Sequence, residues 1–175
     1  MKKLLLILLC FPFIGFGQST AKDYYLKGLN LKIDGKTYFA IDVLTKAIEL
    51  DPNYGAAYSL RGDCYWLKSK DELALADYEK AIELKYYDHG TIFLSRGTLY
   101  QWNYKYGHEL AEADYTEAIK LLLKKVDFNN NDLYAPSLKE ALVRRAETTN
   151  SNELALYDLD RVIELDPSYE RAYNQ

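Results

Sequence analysis

Two cysteines, two histidines, one methionine and four prolines are spread over 175 residues, and each scarcity removes a class of protein. A metal centre needs several ligands at set spacings, yet His89 and His108 have no cysteine or paired carboxylate at ligand distance in the sequence. No metal and no cofactor is therefore expected. Cys64 stands between Asp63 and Tyr65, with no histidine in its own stretch of chain, and reads as a small buried filler. There is no glycine-rich phosphate loop, because the glycines of Lys27-Gly28, Arg61-Gly62 and Arg96-Gly97 fall inside helical patterns. Strand-type alternation is missing throughout. With no catalytic constellation, the chain is read as a protein that is not an enzyme and takes no small-molecule substrate. Positive charge is also short: 22 basic against 26 acidic side chains give a net −4, with no basic block to attract nucleic acid or a lipid surface.

The one long hydrophobic run stands at the start. Met1, Lys2 and Lys3 precede an apolar stretch over residues 4–16, which reaches the small-x-small triplet Gly15-Phe16-Gly17 just before Gln18. That layout is a secretory signal peptide: a positive start, an apolar run too short to span a bilayer well, and small residues at the exit. Residues 1–17 are assigned to it, with cleavage near Gly17 and a periplasmic or secreted product. An uncleaved anchor is the alternative, disfavoured because Pro12 and Gly15 interrupt the run. Cleavage removes two lysines and leaves 20 basic and 26 acidic groups, net −6. It also removes Cys10, so Cys64 has no intramolecular partner and stability has to come from packing.

The remainder is organised by a period. Lys27-Gly28, Ala40 and Lys46-Ala47-Ile48-Glu49-Leu50 recur as Arg61-Gly62, Ala74 and Lys80-Ala81-Ile82-Glu83-Leu84, thirty-four residues on. A third pass gives Arg96-Gly97, Ala111 and Glu117-Ala118-Ile119-Lys120-Leu121. A fourth gives Arg145-Ala146, Ala155 and Arg161-Val162-Ile163-Glu164-Leu165. Each unit shows two stretches of helical spacing separated by a turn, and Asp51-Pro52 and Asp166-Pro167 stop the second helix. The small residues on both helices are placed to let the two backbones approach, with large neighbours such as Tyr24, Tyr58, Phe93, Tyr78 and Tyr115 filling the flanks. The third unit carries two extra residues near 104–108, and the fourth is three shorter in its turn. A polar connection over 127–132 offers a place to bend.

The thirty-four-residue spacing, the Gly and Ala positions, the aromatic fillers and the Asp-Pro stop resemble the tetratricopeptide repeat family over about residues 20–175. The resemblance implies an all-α fold, a right-handed superhelical solenoid of antiparallel helix pairs. One domain over 18–175 is expected, with repeats at about 21–54, 55–89, 90–125 and 134–168 and a partial capping helix at 168–175. The function it implies is a non-catalytic scaffold that binds a peptide or protein segment. Residues 168–175 repeat the opening of the second unit and then stop. Either they cover Leu156, Leu159 and Ile163, or the open end meets another chain, as in a homo-oligomer or a structural subunit of an envelope assembly.

Two residue patterns point to specific roles. Arg61, Arg96 and Arg145 appear together with Asp77, Asp114 and Asp158, while the first unit has Lys27 and Val43 in those places. Such coupled appearance marks structural ion pairs between helices, in preference to a clamp for an acidic ligand. The first helices, which line the concave surface in this family, carry Tyr25 and Leu29, then Ser59, Asp63 and Trp66, then Leu94, Thr98, Gln101 and Trp102 on one face by helical spacing. These nine are the candidate partner-binding groove, although Trp66 and Trp102 serve equally well as packing between first helices. Tyr25, Leu29 and Leu60 stand where some relatives place groups that hold a terminal carboxylate, so an internal or apolar segment is the expected ligand.

Overall fold

A computed structural model of the chain describes residues 19–86, 90–103, 105–126 and 133–173. The signal segment with Cys10, and also His89, Tyr104 and the connection at 127–132, lie outside the described residues. Eight α-helices are described: α1 (Ala21–Ile33), α2 (Thr37–Leu50), α3 (Gly55–Trp66), α4 (Asp71–Glu83), α5 (Thr91–Trp102), α6 (His108–Leu123), α7 (Ala135–Thr148) and α8 (Asn152–Leu165). A 3-10 turn, η1 (Glu170–Ala172), follows. Odd- and even-numbered helices pair as α1–α2, α3–α4, α5–α6 and α7–α8, and the odd helices also touch one another in series. The result is a helical solenoid whose inner row is α1, α3, α5 and α7.

Local chemistry sets the helix ends. Thr20 and Asp23 form a capping box at α1, with Thr20 N donating to Asp23 Oδ2 at 2.7 Å and Asp23 N to Thr20 Oγ1 at 3.2 Å. Ser151 Oγ accepts from Leu154 N at 3.2 Å at the start of α8. Asp51 and Asp166 end α2 and α8, and each accepts from the backbone N–H two residues on, at 3.0 and 3.1 Å, with the intervening proline barring further helix. The second unit has no Asp-Pro; Lys85 at φ 61 makes the turn there. The three residues missing from the fourth unit come off the last turn of its first helix. α7 stops at Thr148, two positions past Ala146, whereas α5 runs five past Gly97.

The glycines face large side chains, a closer match than the Gly-to-Ala approach expected from the sequence. A Cβ on Gly62 would sit 2.8 Å from the Tyr78 ring, one on Gly97 2.9 Å from Tyr115, and one on Gly28 2.6 Å from Leu44. Each of these large residues lies four positions after the second-helix alanine and is fully buried. In the fourth unit Leu159 takes this place and is only half-buried, which leaves room for Ala146.

Between the helices of each pair after the first lies a buried ion pair. Arg61 donates through Nε and NH2 to the two oxygens of Asp77, both at 2.8 Å, and through NH1 to Thr45 on α2 at 3.0 Å. Arg145 bonds Asp158 at 2.8 and 2.7 Å and Thr116 on α6 at 3.1 Å. Arg96 bonds Asp114 at 2.7 and 2.8 Å, with Glu79 of α4 where the threonines stand in the other two units. Rings flank two of the guanidinium groups. Tyr58 and Tyr65 lie 5.6 and 5.7 Å from Arg61, while Phe93 and Tyr100 each lie 5.7 Å from Arg96. Burial pushes the carboxyls of Asp77 and Asp114 up, against the pull of their arginines.

Removing one member leaves a desolvated charge without its partner. Arg96→Ala is expected to cost about 3 kcal/mol, whereas Lys120→Ala, at an exposed pair, should cost less than about 1 kcal/mol. Urea unfolding of the two variants measures the difference.

Candidate functional site

The inner face is built by the odd helices and by two tyrosines that reach it from behind. Because Gly62 and Gly97 carry no side chain, the rings of Tyr78 and Tyr115 pass beneath them. Their hydroxyls emerge among inner-row residues: Tyr78 donates to Asp63 Oδ1 at 3.0 Å, and Tyr115 to Gln101 Oε1 at 2.7 Å. Burial raises both phenol pKa values, that of Tyr115 to about 12. Both rings therefore stay neutral donors at physiological pH. Asp63 takes a second partner in Lys32 of α1, so α1, α3 and α4 meet at one carboxylate. Beside it opens a cavity of about 250 Å³ lined by Lys32, Asp63, Trp66, Leu67 and Ser95.

The structure distributes the nine groove candidates unevenly. Asp63 and Trp66 line the cavity, while Gln101 lies further along the same row, bonded to Tyr115 and Glu147. The core forms three clusters along the chain, the first around Leu44, Ala57 and Leu60, the second around Tyr78 and Leu99, the last around Leu122, Leu142 and Val162. Tyr25 and Leu29 pack against the first, and the Tyr25 ring centroid lies 5.3 Å from that of Tyr54. Leu94 packs against the last cluster, and Ser59 is half-buried. Thr98 is a correction: it is buried and its hydroxyl donates to Leu94 O at 2.7 Å, a bond satisfied within its own helix. Leu60 likewise belongs to the core. Trp102 ends α5 and is 64% exposed, with the Arg144 guanidinium 5.9 Å from its ring. Cys64 is fully buried, and burial pushes its thiol up to about 11, so it has no nucleophilic character at neutral pH. His108 is exposed at the start of α6.

The inner residues of α7 went unnoticed in the sequence. Arg144 donates to Glu140 at 2.7 Å and reaches Gln101 of α5 at 3.4 Å. Glu140 and Glu147 then receive Arg171 of η1, at 3.0 Å to both oxygens of Glu140 and 2.7 Å to Glu147. Tyr169 hydroxyl reaches Glu140 at 3.3 Å, Lys139 bonds Asp166 at 2.6 Å, and Ala172 is buried in the last core cluster. Residues 166–173 are thus latched onto α7, against a cluster that includes Leu159 and Ile163. Leu156 remains exposed. The signal that locates these residues is register: Glu147 follows Ala146 as Asp63 follows Gly62, and Arg144 stands where Ser95 stands in the third unit.

Comparison with known proteins agrees with this architecture. The tetratricopeptide repeat profile matches residues 21–54 and 55–88. No curated protein sequence matches the chain. Among solved structures, PilW, described as a widely conserved type IV pilus biogenesis factor, is 15% identical with a TM-score of 0.69, over 90% of this chain and 67% of that one. YrrB, described as having an unusual peptide-binding site, is 21% identical with a TM-score of 0.54, over 89% and 91%. The first repeat domain of Spaghetti (RPAP3), bound to the HSP90 peptide SRMEEVD, is 25% identical with a TM-score of 0.56, over 71% and 95%.

The latch responds to acid in a defined direction. Bonds from Lys139 and Ser168 hold the Asp166 carboxyl down from 3.8 to about 2. Burial raises that of Glu140, but Arg144 and Arg171 outweigh it and the net shift is downward. Folded-state values below the unfolded ones make the latch complete above the unfolded values and weaken it as pH falls through the folded ones. For Asp166 the window runs from 3.8 to about 2. Proton NMR of the Tyr169 ring is expected to report loosening across that window, and Asp166→Asn to remove that carboxylate's share of the pH dependence.

Proposed function

We propose that this chain, two of whose repeats match the tetratricopeptide repeat profile, is a protein-interaction scaffold without chemistry of its own, holding a segment of a protein partner outside the cytoplasm. The observation that carries this reading is the inner-face cavity bounded by Trp66 and Leu67 and flanked by Lys32 and Asp63. Apolar walls beside a fixed polar pair suit one side chain of an extended or helical segment. Lys32 is already neutralised by Asp63, which disfavours a free terminal carboxylate as the ligand. Two peptide-related neighbours, YrrB and the Spaghetti domain, support a peptide-holding role for such a surface. Assembly through the C-terminal end takes second place, since residues 166–173 already lie against α7 and α8.

Capture of partners from the protein's own envelope extract tests the reading. Trp66→Ala is expected to weaken the captured complex about tenfold or more, with a modest drop in melting because the half-buried ring also packs against the core around Tyr78 and Leu99. Asp63→Ala should lower melting as well, because Lys32 and Tyr78 lose their acceptor. Binding that is indifferent to Trp66 would place the partner elsewhere.

The export half of the proposal rests on the charged start, apolar run and small-residue exit of residues 1–17. Intact-mass measurement of the protein recovered from outside the cytoplasm is expected to give a chain beginning at Gln18. Retention of residues 1–17 would overturn cleavage.

A further inference from the structure

A second surface, adjoining the groove at Leu67 and Trp102, repeats along the solenoid without serving the core. Where each odd helix turns into the next even one, a large apolar residue ends the first helix or caps it, and another stands in the first turn of the second. They are Ile33 and Phe39, then Leu67 and Leu73, then Trp102 and Leu110. All six are exposed, Ile33 to 75% and Phe39 to 65%. They recur with the period of the repeat, yet burial does not account for them, as it does for the alanines and tyrosines. Successive inner helices lie about 10 Å apart, so the row extends roughly 20 Å from the first unit to the third.

The turns that carry this row touch one another. Lys68 and Lys70 of the second turn place their ammonium groups 4.7 and 5.8 Å from the ring of Tyr38 in the first unit. Asn103 of the third turn donates to Asp71 of the second at 2.7 Å, and Lys105 lies 3.7 Å from Glu72. Among the described residues of these three turns and the first three residues of the helices that follow them, Lys36, Lys68, Lys70 and Lys105 are matched by Asp34, Asp71, Glu72 and Glu109. The edge is thus neutral in a chain that is acidic as a whole. Asp34, Asp71 and Glu72 are each bonded to or paired with a neighbour, while Lys68 and Lys70 make no ion pair among the described residues.

We propose that this edge is a lipid-facing surface that lies on a membrane carrying anionic headgroups. Ile, Phe, Leu and Trp at helix ends project as knobs, and side chains in the first turn of α2, α4 and α6 lean toward that edge. A fluid interface accepts such relief without shaped holes to receive it. Tyr38 and Trp102 have the amphipathic rings that settle at headgroup depth, and the unpaired lysines beside them meet lipid phosphates. No helix among the described residues is long and apolar enough to cross a membrane, so the contact is interfacial. No basic block exists in the sequence; the positive charge offered here is that of Lys68 and Lys70 on the second turn, beside the Tyr38 ring of the first.

Quenching of Trp102 by brominated lipid tests this in the full chain. Trp66→Phe leaves Trp102 as the one tryptophan, so its emission reports this edge even if residues 1–17 also touch lipid. On vesicles of phosphatidylcholine with one third phosphatidylglycerol, bromination is expected to reduce the emission to roughly half, and on phosphatidylcholine alone by much less. The triple variant Ile33→Ser, Phe39→Ser, Leu73→Ser, and separately Lys68→Glu with Lys70→Glu, should weaken the effect about tenfold in lipid concentration while keeping the wild-type helical spectrum. Ile33, Phe39, Leu73, Lys68 and Lys70 do not line the groove cavity, so partner capture should persist in these variants when Trp66 is kept. Unquenched Trp102 on both vesicle types would overturn the proposal, as would quenching that all variants retain. A dimer in sedimentation velocity that the serine variant dissolves, without lipid quenching, would assign the edge to a second copy instead.

Discussion

Each pair of helices after the first is tied by one arginine that cannot be withdrawn cheaply. Arg61, Arg96 and Arg145 hold both oxygens of an aspartate on the paired helix, and two of them also reach a threonine on the preceding unit. A planar fork engaged at both ends fixes the rotation and height of one helix against another more tightly than apolar contact does. Desolvation makes the pair a demanding arrangement, since a slipped register would strand a buried charge. The rings beside Arg61 and Arg96 add to this. Tyr58 packs with both the first and second core clusters, and Phe93 with both the second and the last. Where the ion pair is missing, in the first unit, Leu44 simply packs beneath Gly28.

The inner face inherits its order from this framework. Tyr78 and Tyr115 lie on the helices held by Asp77 and Asp114, and they pass beneath glycines to orient Asp63 and Gln101. Much of the polar surface in the row is therefore already partnered: Lys32 with Asp63, Gln101 with Tyr115, Glu140 and Glu147 with Arg144 and Arg171. A surface so preorganised loses little side-chain entropy when it meets a partner. The space left at the Trp66 cavity is apolar-walled and small, which fits one residue of a segment better than a polar ligand.

Two kinds of surface thus arise from one repeat. The groove residues differ from unit to unit, as Asp63, Thr98 and Glu147 at one register position show, and Thr98 is not even exposed. The turn-edge residues stay large and apolar over three units and are exposed in each. Variation suits recognition of a particular segment, whereas repetition suits contact with something uniform along its length.

The period of thirty-four, the helix pairs and the coupled appearance of arginine with aspartate were legible in the amino-acid sequence, because each depends on spacing along the chain. Thr20 with Asp23, Ser151, and the Asp-Pro stops were local as well, acting within three residues. Spacing did not separate Thr98 from Asp63, since both face the same way on their helices and only the depth of packing differs. Nor did it find the latch of Arg171 on Glu140 and Glu147, which joins residues 31 and 24 positions apart through the end of the stack. The approach of Lys68 and Lys70 to Tyr38 was equally hidden, for it depends on how neighbouring turns lie side by side. The repeat and its helices follow from the order of residues, but which side chains remain open to a partner is decided by the neighbours that tertiary packing brings against them.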